Sequence, residues 1–309
     1  MNPSPSPSAE VPAPAFYIAG PTGAGKSELA VEIAERCGGE IVGADAFQIY
    51  RGLDLLTAKP AASLTGRVPH HLIGEVDPAR AFDVAQYLEL ATARIAEIRS
   101  SGKPIIVCGG TGLYIRALIR GLSELPSADE ELRATLNQVP LPELQERLRR
   151  LDPVAAASID LQNPRRVIRA VEVCELTGQP FSSFRQEWQT PPSGVCGVFF
   201  TRDREDLNNR IDSRTLAMFA DGVIEEVSTA EPLGSTASQA IGYREIVEML
   251  AGRLNRKEAV AAIQQATRQY AKRQLTWFRR ESSLEAINLS EAGDISLLCD
   301  RLSRAAAAR

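Results

Sequence analysis

The run I-A-G-P-T-G-A-G-K-S-E-L from Ile18 to Leu29 constrains the fold more than any other stretch, because Gly20 to Ser27 fit G-x-x-x-x-G-K-S. In that pattern backbone N–H groups and a helix N-terminus surround phosphate, the lysine adds positive charge, and the hydroxyl can hold magnesium. Phe16 to Ala19 form an apolar run just before the loop, and Ser27 to Arg36 show helical spacing at Leu29, Val31, Ile33 and Ala34. Strand, loop and helix in that order predict the opening of a P-loop α/β domain. Gly20, Pro21, Thr22, Gly23, Ala24, Gly25, Lys26 and Ser27 are therefore candidate ligands of a polyphosphate. The loop contacts nothing beyond the phosphates, so it leaves the ligand unnamed.

Further strands are expected at Glu40 to Val42 and Pro104 to Cys108, with a helix around Val84 to Arg99 between them. Strands alternating with helices imply a doubly wound parallel sheet. From about Gly121 the chain turns rich in Glu, Arg and Leu, with helical periodicity in L-P-E-L-Q-E-R-L-R-R-L and N-P-R-R-V-I-R-A-V-E-V-C-E-L-T-G. The second run has Asn163 as N-cap, Pro164 at the first helical position and Gly178 as a stop. A β-like run returns at Gly194 to Phe200, and only helices are expected after it. The fold class is thus α/β, with 15–120 and 194–309 forming the P-loop core and 121–193 a helical insertion. Residues 1–14, rich in proline and serine, read as a disordered tail without the features of a signal peptide.

Five cysteines far apart, with two histidines, do not suggest a disulfide framework or a zinc site and fit a reducing cytoplasm. No apolar run approaches the ~20 residues that a membrane span requires. A net charge of −4 argues against coating nucleic acid by charge alone, while leaving room for local basic surfaces. The adjacent His70 and His71 read as structural, since a metal cluster needs more ligands.

In I-V-G-A-D-A-F-Q-I-Y-R-G, Asp45 follows the second strand, at the carboxyl edge where open α/β sheets bind ligands. Thr57 and Lys59 follow nearby in D-L-L-T-A-K-P. With G-P-T-G-A-G-K-S, P-H-H-L-I, C-G-G-T-G-L-Y, N-P-R-R-V-I-R-A-V-E-V, Q-A-I-G-Y-R-E and T-R-Q-Y-A-K-R-Q-L-T-W-F-R-R, these blocks run in order from Gly20 to Arg280. In this the chain resembles the tRNA dimethylallyltransferases, also called tRNA isopentenyltransferases.

The resemblance implies transfer of a dimethylallyl group from dimethylallyl diphosphate to the exocyclic amine of the adenosine following the anticodon in tRNA. By its motifs Gly20 to Ser27 hold the diphosphate, Ser27 helps to hold Mg²⁺, and Asp45 is the general base, with Lys26, Ser27 and Thr111 completing the catalytic set. Asp45, Ala46, Phe47, Gln48, Thr111, Arg133, Arg165, Arg166, Arg169, Gln239 and Arg244 match positions that contact the tRNA anticodon stem-loop or the reacting centre. A cytoplasmic monomer is expected. An allylic diphosphate ionises readily, so stabilising negative charge on the leaving oxygens is the main task, and a carboxylate is an adequate base for an amine acidified by bond formation. The adenosine must leave its stack to reach the diphosphate.

Arg268, Lys272 and Arg279 cluster on one side of a helix, with Tyr270, Trp277 and Phe278 mostly opposite and expected in the core. Arg165 and Arg169 share a second cationic face. Glu245 can pair with Arg244 or cap a helix and is assigned no role. Ala46 and Phe47 depart from the family pattern, which commonly has serine after the aspartate. The chain also lacks cysteines for the C-terminal zinc finger of eukaryotic relatives, and resembles the bacterial form. Two rival classes share parts of the pattern: a P-loop small-molecule kinase using ATP with Asp45 as base, and a noncatalytic nucleotide- or RNA-binding protein. Adenylate isopentenyltransferase is the nearest related activity.

Overall fold

Alternation along β1 (Phe16–Ala19) sends Phe16 and Ile18 to one face and Tyr17 and Ala19 to the other, and all four are buried. A strand apolar on both faces needs cover on both. The computed structural model, which describes residues 15–123, 125–184, 194–281 and 283–309, supplies it from helices on either side. The expected tail 1–14 lies outside the described residues, as do 185–193 of the expected insertion.

Around β1 the chain builds β2 (Glu40–Gly43), β3 (His70–His71), β4 (Ile105–Gly109), β5 (Cys196–Thr201) and β6 (Glu285–Asn288). The sheet order is β3-β2-β4-β1-β5-β6 and every pairing is parallel. The helices between these strands are α1 (Lys26–Cys37), α2 (Ala62–Thr65), α3 (Val84–Ser100) and α4 (Gly112–Arg120). Four helices follow before β5, α5 (Glu130–Leu136), α6 (Leu141–Leu151), α7 (Pro153–Ser158) and α8 (Pro164–Thr177), and after β5 come α9 (Arg204–Ala220), α10 (Val223–Thr229), α11 (Tyr243–Leu250), α12 (Arg256–Phe278) and, beyond β6, α13 (Ile295–Ala307). Val31 and Ile33 of α1 pack with Phe16, Ile18, Ile106 and Phe200 on one face, each burial contributing about 1.5–3 kcal/mol. Tyr87 of α3 and Tyr114 of α4 stack with ring centroids 3.8 Å apart on the other.

The expectation of helices alone after Phe200 is corrected by β6, which pairs Val198 to Thr201 with Glu285 to Asn288. E-A-I-N is a short edge strand, with Glu285 and Ala286 exposed, so it carries too little apolar alternation to be read as a strand. His70 and His71 form a still shorter strand, where His70 Nδ1 lies 2.7 Å from the Val68 carbonyl and His71 Nε2 2.7 Å from Glu40 Oε2.

Contacts divide the chain into two units: Met1–Gly121 with Pro191–Arg309, and Leu122–Thr190. The second is helical, comprising α5 to α8. In α8 the Asn163 side chain accepts from the Arg166 N–H, Pro164 opens the helix and Gly178 closes it at φ 67°. Leu136, Leu144, Leu148, Val167, Ile168 and Val171 form this unit's own core.

Candidate active site

Four loops leave the carboxyl ends of adjacent strands at one level, since Ala19 registers with both Gly109 and Phe199, and Gly43 with Cys108. They are the phosphate loop after β1, the Asp45 turn after β2, the Gly110–Thr111 turn after β4 and the Arg202 segment after β5. Their approach is close. A Cβ on Gly109 would run into the Ala44 carbonyl, and one on Gly20 would sit 2.5 Å from the Phe200 carbonyl oxygen. Gly25 caps α1 at φ 90° without a side-chain cap, leaving the first-turn N–H groups to an anion.

The phosphate loop is held from outside by long side chains. Gln274 of α12 accepts from the Thr22 N–H at 2.8 Å and donates to the Gly110 carbonyl at 2.9 Å. Arg202 donates to the Ala24 carbonyl at 2.8 Å, Arg210 to the Gly23 carbonyl at 2.9 Å, and Arg214 to Thr22 Oγ1 at 2.8 Å. Lys26 folds back on the loop and donates from Nζ to the Pro21 carbonyl at 2.8 Å. Burial lowers the Lys26 ammonium below its ordinary pKa, against an opposing pull from Asp45, and burial likewise lowers Arg214. Two desolvated cations beside the phosphate loop describe a site built for negative charge. The Cys108 thiol is pushed up to about 12 by burial and stays protonated.

Asp45 Oδ1 accepts from the N–H groups of Phe47 at 3.0 Å and Gln48 at 3.3 Å. No donor among the described residues engages Oδ2, so one oxygen fixes the turn and the other can take a proton. Thr111 Oγ1 accepts from the Ala46 N–H at 2.9 Å, and the Thr111 N–H donates to the Ala44 carbonyl at 3.1 Å, pinning the same turn. Gln48 donates both Nε2 hydrogens, to the carbonyls of Thr57 and Ala58 at 3.2 and 2.9 Å. Its Oε1 remains as the acceptor.

Thr22, Lys26, Asp45, Gln48, Arg210 and Arg214 line a cavity of about 770 Å³. Lys26, Asp45, Arg210 and Arg214 are among its charged lining residues, Ser27 adds a hydroxyl, and Leu55, Leu56, Met218, Ile241 and Ile263 form an apolar wall. A profile of the IPP transferase family matches residues 48–281. The chain belongs to the IPP transferase family. It is 46% identical over 275 residues to tRNA dimethylallyltransferase 1 of Citrifermentans bemidjiense, covering 87% of this chain and 90% of that one. To tRNA dimethylallyltransferase of Geobacter sulfurreducens it is 45% identical over 278 residues, with coverages of 87% and 89%. The solved full-length tRNA isopentenylpyrophosphate transferase of Bacillus halodurans is similar over 94% of both chains, with 35% identity and a TM-score of 0.67.

The residues expected at the site divide into three groups. Thr22, Gly23, Gly25, Lys26, Ser27, Asp45, Phe47 and Gln48 line the cavity, while Gly20, Pro21, Ala24, Ala46 and Thr111 shape its loops. Gln239, at the end of a 3-10 turn, and Arg244 are exposed, and Arg244 pairs with Glu245 at 2.9 Å. Arg133, Arg165, Arg166 and Arg169 belong to the helical unit. There Arg165 and Arg166 are exposed, but Arg133 and Arg169 each donate to the buried Glu172 at 2.7 Å. Burial alone would raise Glu172, but the two guanidinium groups outweigh it and hold the carboxyl below its ordinary range. Arg133 and Arg169 therefore neutralise a core charge in this unit.

On α12 the expected basic stripe is thinner than its sequence, because Arg268 is ion-paired with Asp212. Lys272, Arg279 and Arg280 are exposed, Phe278 is buried and Trp277 lies under the Arg116 guanidinium at 4.5 Å. The arginines missed by sequence reading are Arg202, Arg210 and Arg214. The i,i+4 spacing of Arg210 and Arg214 signals one cationic helix face, but nothing in it points to a loop some 190 residues earlier, a separation of 192 for the Arg214–Thr22 bond.

Proposed function

We propose that this chain transfers the dimethylallyl group of dimethylallyl diphosphate to the exocyclic amine of the adenosine 3′ of the anticodon in tRNA, releasing diphosphate. The observation that carries the reading is one cavity containing an anion-binding loop, a carboxylate with an unengaged oxygen and an apolar wall. The names of the relatives agree with it. The loop N–H groups, Lys26 and Arg214 bind the diphosphate and stabilise charge growing on it as the allylic C–O bond breaks. One such preorganised donor contributes about 2.7–4 kcal/mol to the barrier. The five-carbon chain lies along Leu55, Leu56 and Ile263, and Gln48 Oε1 accepts a hydrogen from the base. As the N–C bond forms, Asp45 Oδ2 takes the proton that the amine loses.

Mg²⁺ fits this donor set through the Ser27 hydroxyl together with substrate oxygens. Among the described residues no group of three or more His, Cys, Asp or Glu could cage a metal, and magnesium is commonly held by few protein oxygens plus phosphate. When bound it would add positive charge at the diphosphate. The reading places the protein in the cytoplasm with its RNA, as a monomer. Among the described residues no helix is long and apolar enough to cross a membrane.

The test incubates the protein and Mg²⁺ with unmodified tRNA and either dimethylallyl diphosphate or ATP, then digests the RNA to nucleosides. Prenylated adenosine formed with the first and no phosphorylated product with the second is the expected result. Phosphoryl transfer from ATP without prenylation would overturn it.

A further inference from the structure

Three consecutive backbone N–H groups converge on one carboxylate from a distant element. Glu226 Oε2 accepts from Asp54 at 2.8 Å and Leu55 at 2.7 Å, and Oε1 accepts from Leu56 at 2.8 Å. The turn they begin carries Leu55 and Leu56, which form part of the cavity's apolar wall, and runs on to the Thr57 and Ala58 carbonyls that hold Gln48. Ala58 has φ 51°, in the left-handed region that non-glycine residues rarely adopt, so the turn needs support from outside itself. Val223 and Val227 are buried and seat α10 in the core, and Gly222 at φ 102° sets its entry. Glu226 is thus presented from an anchored element, and it is not among the residues lining the cavity.

We propose that Glu226 is a positioning residue for the prenyl end of the substrate: it fixes the Asp54–Leu56 turn, and through that turn the apolar wall and Gln48, without touching substrate. The inference rests on the function proposed above. Its consequence is selective, because none of the contacts that Glu226 makes belongs to the phosphate loop. Loss of the clamp weakens recognition of the allylic chain and leaves recognition of the diphosphate in place. A carboxylate suits the position because it only accepts, and three donors face it. The amide of Glu226→Gln brings a donor of its own against them and leaves at least one N–H unpaired.

The test compares the full-length wild type with Glu226→Gln and Glu226→Ala. Inhibition constants are measured for inorganic diphosphate and for an unreactive dimethylallyl thiodiphosphate, with thermal unfolding as a check on folding. Glu226→Gln is expected to weaken the prenyl analogue roughly tenfold, the equivalent of one charge-assisted hydrogen bond, with Glu226→Ala weaker still. Inorganic diphosphate should bind as it does to the wild type. A ratio of the two constants unchanged within about twofold in folded Glu226→Gln overturns the proposal, as does equal weakening of both ligands. Wild-type protein that makes no prenylated adenosine would instead remove the underlying reading of the function.

Discussion

Gln274→Leu removes both polar atoms of a side chain that is 5% exposed, and tests the idea that α12 braces the phosphate loop. In the wild type its amide satisfies the Thr22 N–H at 2.8 Å and the Gly110 carbonyl at 2.9 Å, so it links the loops after β1 and β4. A Cβ on Gly110 would collide with the Gln274 amide, which shows how flat the two lie. Leucine fills a similar volume but leaves two backbone groups without partners. The Gly110 carbonyl's bond is buried and its loss costs about 1–3 kcal/mol, while the part-buried Thr22 N–H adds a smaller amount. Gln274→Glu isolates half of this: one oxygen still accepts from Thr22, while the other faces the Gly110 carbonyl with no proton between them. The assay is urea unfolding of each variant alongside inorganic diphosphate affinity. Both variants should lose stability, with Gln274→Leu also losing affinity because the loop is no longer held. A loss below about 1 kcal/mol for Gln274→Leu with wild-type affinity would refute the bracing argument, since it lies under the cost of a single orphaned group.

Asp45→Asn keeps an oxygen to accept from Phe47 and Gln48 but removes the base, so kcat for prenylation should fall about 10²–10⁴-fold at an unchanged melting temperature. Arg214→Met removes a partly buried cation hydrogen-bonded to Thr22, and calorimetry should show diphosphate affinity reduced on the order of tenfold or more. Glu172 has its folded pKa held below the ordinary value, so its contribution to stability is fully present above about pH 4.3 and is lost as pH falls through the folded value. Unfolding followed below pH 4.3 should therefore show a loss that Glu172→Gln lacks, while at pH 7 that variant is less stable by about 1–3 kcal/mol.

Much of the core was legible because local chemistry and global position agree there. The G-x-x-x-x-G-K-S run specifies its own loop, and Asn163, Pro164 and Gly178 delimit α8 as their capping chemistry dictates. The Asp45 turn was legible by position at the end of a strand, although the division of its carboxylate, with one oxygen holding the turn and the other left unengaged, emerges only from the hydrogen bonds. What sequence could not supply were partners chosen by packing. Arg133 and Arg169 share a basic, RNA-like pattern with Arg165 and Arg166, yet only the folded unit shows that they serve Glu172. Glu226 gives no motif at all, because its partners are backbone N–H groups whose identity the sequence does not encode.

In the proposed reaction the phosphate loop grips a leaving group and transfers nothing from it. This is tested most directly by dimethylallyl diphosphate labelled with carbon isotope in the allyl group and phosphorus isotope in the diphosphate, reacted with unmodified tRNA. Carbon label in the RNA and all phosphorus label in free diphosphate are the expected result. Phosphorus label in the RNA, or RNA without carbon label, would contradict it.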